Sequence, residues 1–163
     1  MAKRWPILIV LFAARTAVGF QYQSVASVSP FLVADLGIDY GKFGVLLGLY
    51  LLPGIVLALP GGLLGRRFGD KRVVVLGLGL MATGGLAMAL DNSYALVVAG
   101  RMLSGAGAIL LNVLVAKMIA EWFADRELVT AMAILVTSWP LGIGLAMVTL
   151  PALAEAWSWQ AAM

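Results

Sequence analysis

The sequence has no cysteine and no histidine in 163 residues, and only 12% of its residues are charged. Without those side chains there is no disulfide, no thiol nucleophile and no Cys- or His-ligated metal, so neither a metal nor another cofactor is expected. An enzyme is not expected either, because no nucleophile with a base can be assembled without His, Cys or buried carboxylates. A P-loop of the form G-x-x-x-x-G-K-[ST] is also missing, which argues against ATP-driven pumping by this chain. What fills the space is apolar. Hydrophobic residues make up 63% and the mean hydropathy is +1.02, whereas soluble domains are roughly half apolar and about a quarter charged. The chain reads as an integral membrane protein with the lipid bilayer as its solvent. The net charge of +3 would suggest nucleic acid in a soluble chain. Here it falls mostly in loops, and no nucleic-acid partner is expected.

A membrane-spanning helix needs about 20 apolar residues. Five spans are read on that basis, at residues 6–34, 43–65, 73–90, 92–116 and 128–154, and only the first and fourth carry an arginine, Arg15 and Arg101. The fold class is all-α, a polytopic transmembrane helix bundle. Lys3 and Arg4 before an apolar run are similar to the start of a signal peptide, but Arg15 interrupts the run and no small-residue cleavage site precedes Asp35, so the first helix is read as retained. Lys and Arg gather on the cytoplasmic side of membranes. With the N-terminus inside, that side holds Lys3, Arg4, Arg66, Arg67, Lys71, Arg72, Lys117 and Arg126, and the outer side holds only Lys42. The N-terminus is therefore expected in the cytoplasm, in a bacterial inner membrane. Residues 157–163, with Trp157 and Trp159, read as an interfacial belt opening a sixth span. One domain covering residues 1–163 is expected, the incomplete N-terminal half of a longer protein. A complete five-helix chain is the alternative.

Within the spans, small residues four apart permit close helix packing. Gly44 and Gly48, Gly61 and Gly65, and Ser104 and Ala108 have that spacing, while Pro53, Pro60 and Pro140 should bend their helices by removing a backbone donor. Arg15 and Arg101 each carry an insertion cost of roughly 2.5 to 3.5 kcal/mol and so face protein or a water-filled cavity. At about 1.5 Å of rise per residue, Arg15 lies roughly 12 Å from the cytoplasmic end of its helix and Arg101 roughly 10 Å from the outer end of its own. Both are near mid-depth, where transporter sites lie, and a guanidinium fork matches planar anions. Tyr22 shares a helix face with Arg15, and Ala108 and Asn112 share one with Arg101. Arg15, Tyr22, Arg101 and Asn112 are thus candidate cavity residues for a small anionic solute. The competing reading has the arginines buried against helix carbonyls as structural elements. Gln21 and Gln23 cannot share one face, so at least one is expected to bond a neighbouring helix.

The short loop between the second and third spans reads GGLLGRRFGDKR. Gly69 permits a tight reversal, and Arg66 and Arg67 complement the negative end of the preceding helix. Gly62, Arg67, Gly69, Lys71 and Arg72 in this order resemble the loop G-x-x-x-D-R/K-x-G-x-R/K-R/K of the major facilitator superfamily. Arg66 stands where that family has an acid, with Asp70 as a nearby substitute. Arg101 to Gly107 resembles the family's fourth-helix pattern R-x-x-x-G-x-G, and Glu121 to Glu127 resembles its W-F-x-x-R-E turn. The resemblance implies a secondary transporter working by alternating access. It also implies a conformational role for the loop on the cytoplasmic side and a C-terminal half as partner, with Arg101 facing a central cavity. Ser138 to Gly144 has the Pro and Gly of the family's antiporter signature but no glycine before the proline, which speaks against antiport. Arg15, the run Ser29 to Leu32 and the Trp139–Pro140 pair are most similar to the cyanate and nitrate type of anion carrier. The rival function is a non-transporting membrane scaffold or assembly subunit.

Overall fold

The computed structural model describes residues 4–124 and 127–163. Lys3, Asp125 and Arg126, which entered the charge count and the turn motif above, lie outside the described residues. The chain forms α1 (Arg4–Ser27), α2 (Ser29–Leu36), α3 (Tyr40–Leu49), α4 (Pro53–Phe68), α5 (Asp70–Ala89), α6 (Tyr94–Trp122) and α7 (Leu128–Ala156), followed by a 3₁₀ turn at Gln160–Ala162. No strand occurs among the described residues. Five helical stretches are long and apolar enough to cross a membrane: Arg4–Ser27, Tyr40–Phe68, Asp70–Ala89, Tyr94–Trp122 and Leu128–Ala156. Each overlaps one of the five spans read from the sequence, and the first, read as 6–34, is divided between α1 and α2.

Two of those spans are interrupted where a proline enters. Pro30 sits in the first turn of α2, and the backbone bonds still run across the junction, from the Val28 amide to the Ser24 carbonyl at 3.3 Å and from Leu32 to Val28 at 3.0 Å. Helical bonds therefore bridge the α1–α2 junction, with the Pro30 donor missing from the ladder. Pro53 does more than bend its helix. It heads α4, and having no N–H it leaves the Leu49 carbonyl without its usual donor. Around it the bonds tighten to a three-residue register, Leu51 to Gly48 at 3.0 Å, Gly54 to Leu51 at 2.9 Å and Ile55 to Leu52 at 3.1 Å. Pro60, Pro140 and Pro151 lie within continuous helices.

Between helices the glycines set how closely backbones approach. A Cβ on Gly77 would meet the Gly107 carbonyl at 2.8 Å, and one on Gly100 would meet the Gly84 carbonyl at 2.6 Å, so α5 and α6 touch main chain to main chain. The α1–α7 crossing is built alike, since a Cβ on Gly142 would meet the Phe20 amide at 2.7 Å and one on Gly19 the Trp139 backbone. Gly61 and Gly65 admit Leu110 and Leu114 of α6. Gly44 and Gly48 have nothing within 4 Å, so that pair makes no helix contact here, and its spacing alone does not create one. Two apolar clusters form the interior, one around Leu111, Leu114 and Leu135 and the other around Leu32, Leu46 and Leu150. Ile55 and Leu59 of α4 are 85% and 86% exposed, the pattern of a helix whose outer face meets lipid or another membrane helix.

Candidate functional site

Arg15 on α1 reaches across to two other helices. Its Nε donates to Asn112 Oδ1 of α6 at 3.1 Å, and its Nη1 donates to the Leu135 carbonyl of α7 at 3.0 Å. The close α1–α7 crossing at Gly19 and Gly142 brings that carbonyl within reach. Two contacts leave most of the five N–H donors of a guanidinium uncommitted. Arg15 and Asn112 line a cavity of about 450 Å3 together with Val136, Trp139 and Pro140. Because Arg15 occupies Asn112 Oδ1, the amide orientation is fixed and its NH2 group is the part left to donate. Pro140 cannot donate to the Val136 carbonyl, so this wall carries one backbone acceptor without its helical partner. The site thus offers a cation, an amide donor and an indole.

Arg101 is placed differently. It is 0% exposed, and its donors go to backbone carbonyls: Nε to Leu46 at 3.2 Å, Nη1 to Gln21 at 3.0 Å and Nη2 to Tyr22 at 3.3 Å. Its guanidinium carbon lies 4.5 Å from the centre of the Tyr50 ring, a cation–π distance. Arg101 therefore ties α6 to α1 and to the last turn of α3, just before the Pro53 break. Gly105, one turn on, packs against the Tyr50 carbonyl at that break, and the Tyr50 hydroxyl donates to the Val18 carbonyl at 3.2 Å. The structure brings Arg15 and Asn112 together and does not bring Arg101 to them. Tyr22 lies between the two arginines, its ring 5.3 Å from Trp139 on the cavity side and 5.6 Å from Tyr50 on the Arg101 side. Gln21 is the glutamine that bonds a neighbouring helix, its Nε2 donating to the Met81 carbonyl of α5 at 2.8 Å.

In the loop between α4 and α5, Gly69 has φ of 89° and joins one helix directly to the next. Asp70 opens α5 and accepts from Lys117 Nζ at 2.9 Å on both carboxylate oxygens, and Lys117 also lies 3.6 Å from Glu121. Arg66, Arg67, Lys71 and Arg72 are exposed and form no ion pair among the described residues. Arg67 rests near the Phe68 ring, 5.4 Å from its centre, and Gly62 has open space around it. The acid and the cations of the loop therefore part company, the acid turning to α6 and the cations to the outside. Sequence reasoning missed Lys117 as the partner of Asp70, Tyr50 as the seat of Arg101, and Trp139 as a cavity wall. The signals in the sequence were a basic residue just past the fourth span, an aromatic three positions before Pro53, and the Trp139–Pro140 pair in the fifth span.

A family model described as Major Facilitator Superfamily matches residues 11–163. The inner membrane transport protein YajR of Escherichia coli is 32% identical over 115 residues, covering 71% of this chain and 25% of that protein. The hexuronate transporter of Bacillus subtilis is 21% identical over 155 residues, 95% of this chain and 37% of its own length. The 4-hydroxybenzoate transporter PcaK of Pseudomonas aeruginosa is 27% identical over 144 residues, 88% of this chain and 31% of its own. The chain thus spans from a quarter to less than two fifths of these relatives.

Proposed function

The chain belongs to the Major Facilitator Superfamily, and on that premise we propose that the whole protein is a secondary transporter of a small organic anion, working by alternating access in a bacterial inner membrane. Residues 1–163 are its N-terminal bundle. The relatives are about three to four times longer than the matched region, which supports a second bundle as the partner that completes the cavity. The observation that carries the reading is Arg15, a mid-span guanidinium with uncommitted donors beside a cavity of about 450 Å3. No carboxylate pairs with it among the described residues, and its uncommitted donors suit an anionic solute as the counter-charge. Two of the relatives are named for carboxylates, a hexuronate and 4-hydroxybenzoate.

In this reading Arg15 binds the anion and Asn112 donates beside it. Arg101 holds the bundle together, and Tyr22 packs between the two regions. The loop residues Gly62, Arg66, Arg67, Gly69, Asp70, Lys71 and Arg72 serve the cytoplasmic closing step. The rival, a scaffold without transport, is separated by flux. Full-length protein in proteoliposomes should take up small organic carboxylates saturably, and Arg15→Gln should abolish that uptake at equal protein content. A full-length protein that moves no carboxylate, or an Arg15→Gln variant that transports normally, would overturn the proposal.

A further inference from the structure

The cavity beside Arg15 has one wall whose chemistry is more selective than a positive charge. Trp139 lines it, and the Trp139 ring packs against Tyr22 at 5.3 Å between ring centres, with Tyr22 in turn against Tyr50 at 5.6 Å. The Trp139 backbone is pinned by the close approach of Gly19. The indole is therefore a wall held in place by its neighbours, and an aromatic surface held ready loses little entropy when a ligand stacks on it. Val136 and Pro140 complete an apolar lining around it. Among the described residues, the polar side-chain groups on this wall are the Arg15 guanidinium, the Asn112 amide and the Trp139 indole N–H.

That inventory discriminates among carboxylates. A polyhydroxylated acid would lay its hydroxyls against the indole face, Val136 and Pro140, which offer them few partners, whereas the same surface suits the face of a ring. A planar aromatic acid carries one carboxylate for the Arg15 fork and one π face for the indole, with nothing left over. Resting on the anion-site reading of Arg15, we propose that the substrate class is aromatic carboxylates, with Arg15 and Asn112 taking the carboxylate and Trp139 stacking on the ring. Trp139 is then a specificity-determining residue.

The test compares benzoate with cyclohexanecarboxylate, which keeps the carboxylate and the ring size but has no π face. Binding of each to the full-length transporter is measured by competition or calorimetry, for wild type and for the Trp139→Phe, Trp139→Leu and Arg15→Lys variants at verified monodispersity. Stacking of this kind is worth about a two- to tenfold preference. Wild type and Trp139→Phe should favour benzoate by that factor, and Trp139→Leu should bind both acids equally. Equal binding of the two acids by wild type, with both weakened by Arg15→Lys, overturns the aromatic inference and leaves the anion site standing. A benzoate preference that persists in Trp139→Leu also overturns it. Indifference of both acids to Arg15→Lys instead removes the anion site itself. If Trp139→Leu does not fold, the wild-type ratio and Trp139→Phe still decide the matter.

Discussion

Arg101 carries a charge in the interior with no counter-ion among the described residues, and it is held by three carbonyls and the face of Tyr50. Charged hydrogen bonds are worth about 1.5 to 3 kcal/mol in soluble proteins, and interhelical bonds in membranes less, about 0.6 on average. Arg101→Met should therefore lower bundle stability by roughly 1 to 3 kcal/mol, read as reduced folded protein on thermal challenge in detergent. Arg101→Lys should recover only part of the loss, because a single ammonium cannot reach carbonyls on two helices in a planar fork. Stability unchanged in both variants would contradict the tie. From the sequence, Arg15 and Arg101 look alike, each one charge in one apolar span. What separates them is which backbone lies opposite, and that depends on the crossing of three helices that no single segment encodes.

Helices α1 and α7 meet at Gly142, where an added Cβ would run into the Phe20 amide, while Gly48 on α3 faces open space. Overpacking costs about 1 to 3 kcal/mol and more where the obstacle is backbone. Gly142→Ala and Gly107→Ala should lower the melting temperature of the full-length protein, whereas Gly48→Ala should leave it unchanged or raise it, since alanine favours helix over glycine. A stable Gly142→Ala variant would refute the close crossing. The spans themselves were legible because an apolar run of that length has one solution in a bilayer. Pro53 was legible as a disturbance, yet not as the start of a new helix, because the outcome depends on Arg101 and Gly105 of α6 gripping the break from outside. Gly44 and Gly48 show the reverse, a packing motif in sequence that has no neighbour in the fold. The loop motif was legible in its order of residues. The Asp70–Lys117 contact was not, since it joins positions in different spans.

At the scale of the bundle, the basic residues Arg4, Arg66, Arg67, Lys71, Arg72 and Lys117 fall at the ends of α1, α4, α5 and α6, and the proposed orientation puts those ends in the cytoplasm. In a cysteine-free version of the whole protein, a cysteine replacing Lys71 should be shielded from an impermeant thiol reagent in intact cells, and one replacing Asp39 or Asp91 should react. Labelling at position 71 from outside would invert the topology. Arg15 lines the cavity between α1, α6 and α7. The most direct test of the account is the affinity of the full-length protein for a small organic carboxylate, measured for wild type, Arg15→Lys and Arg101→Lys at matched abundance of folded protein. Loss of the guanidinium fork at Arg15 should weaken binding about ten- to a hundredfold, equivalent to roughly 1.5 to 3 kcal/mol, while folded Arg101→Lys protein should bind nearly as wild type does. Affinity unchanged in Arg15→Lys would contradict the account and return that arginine to a structural role.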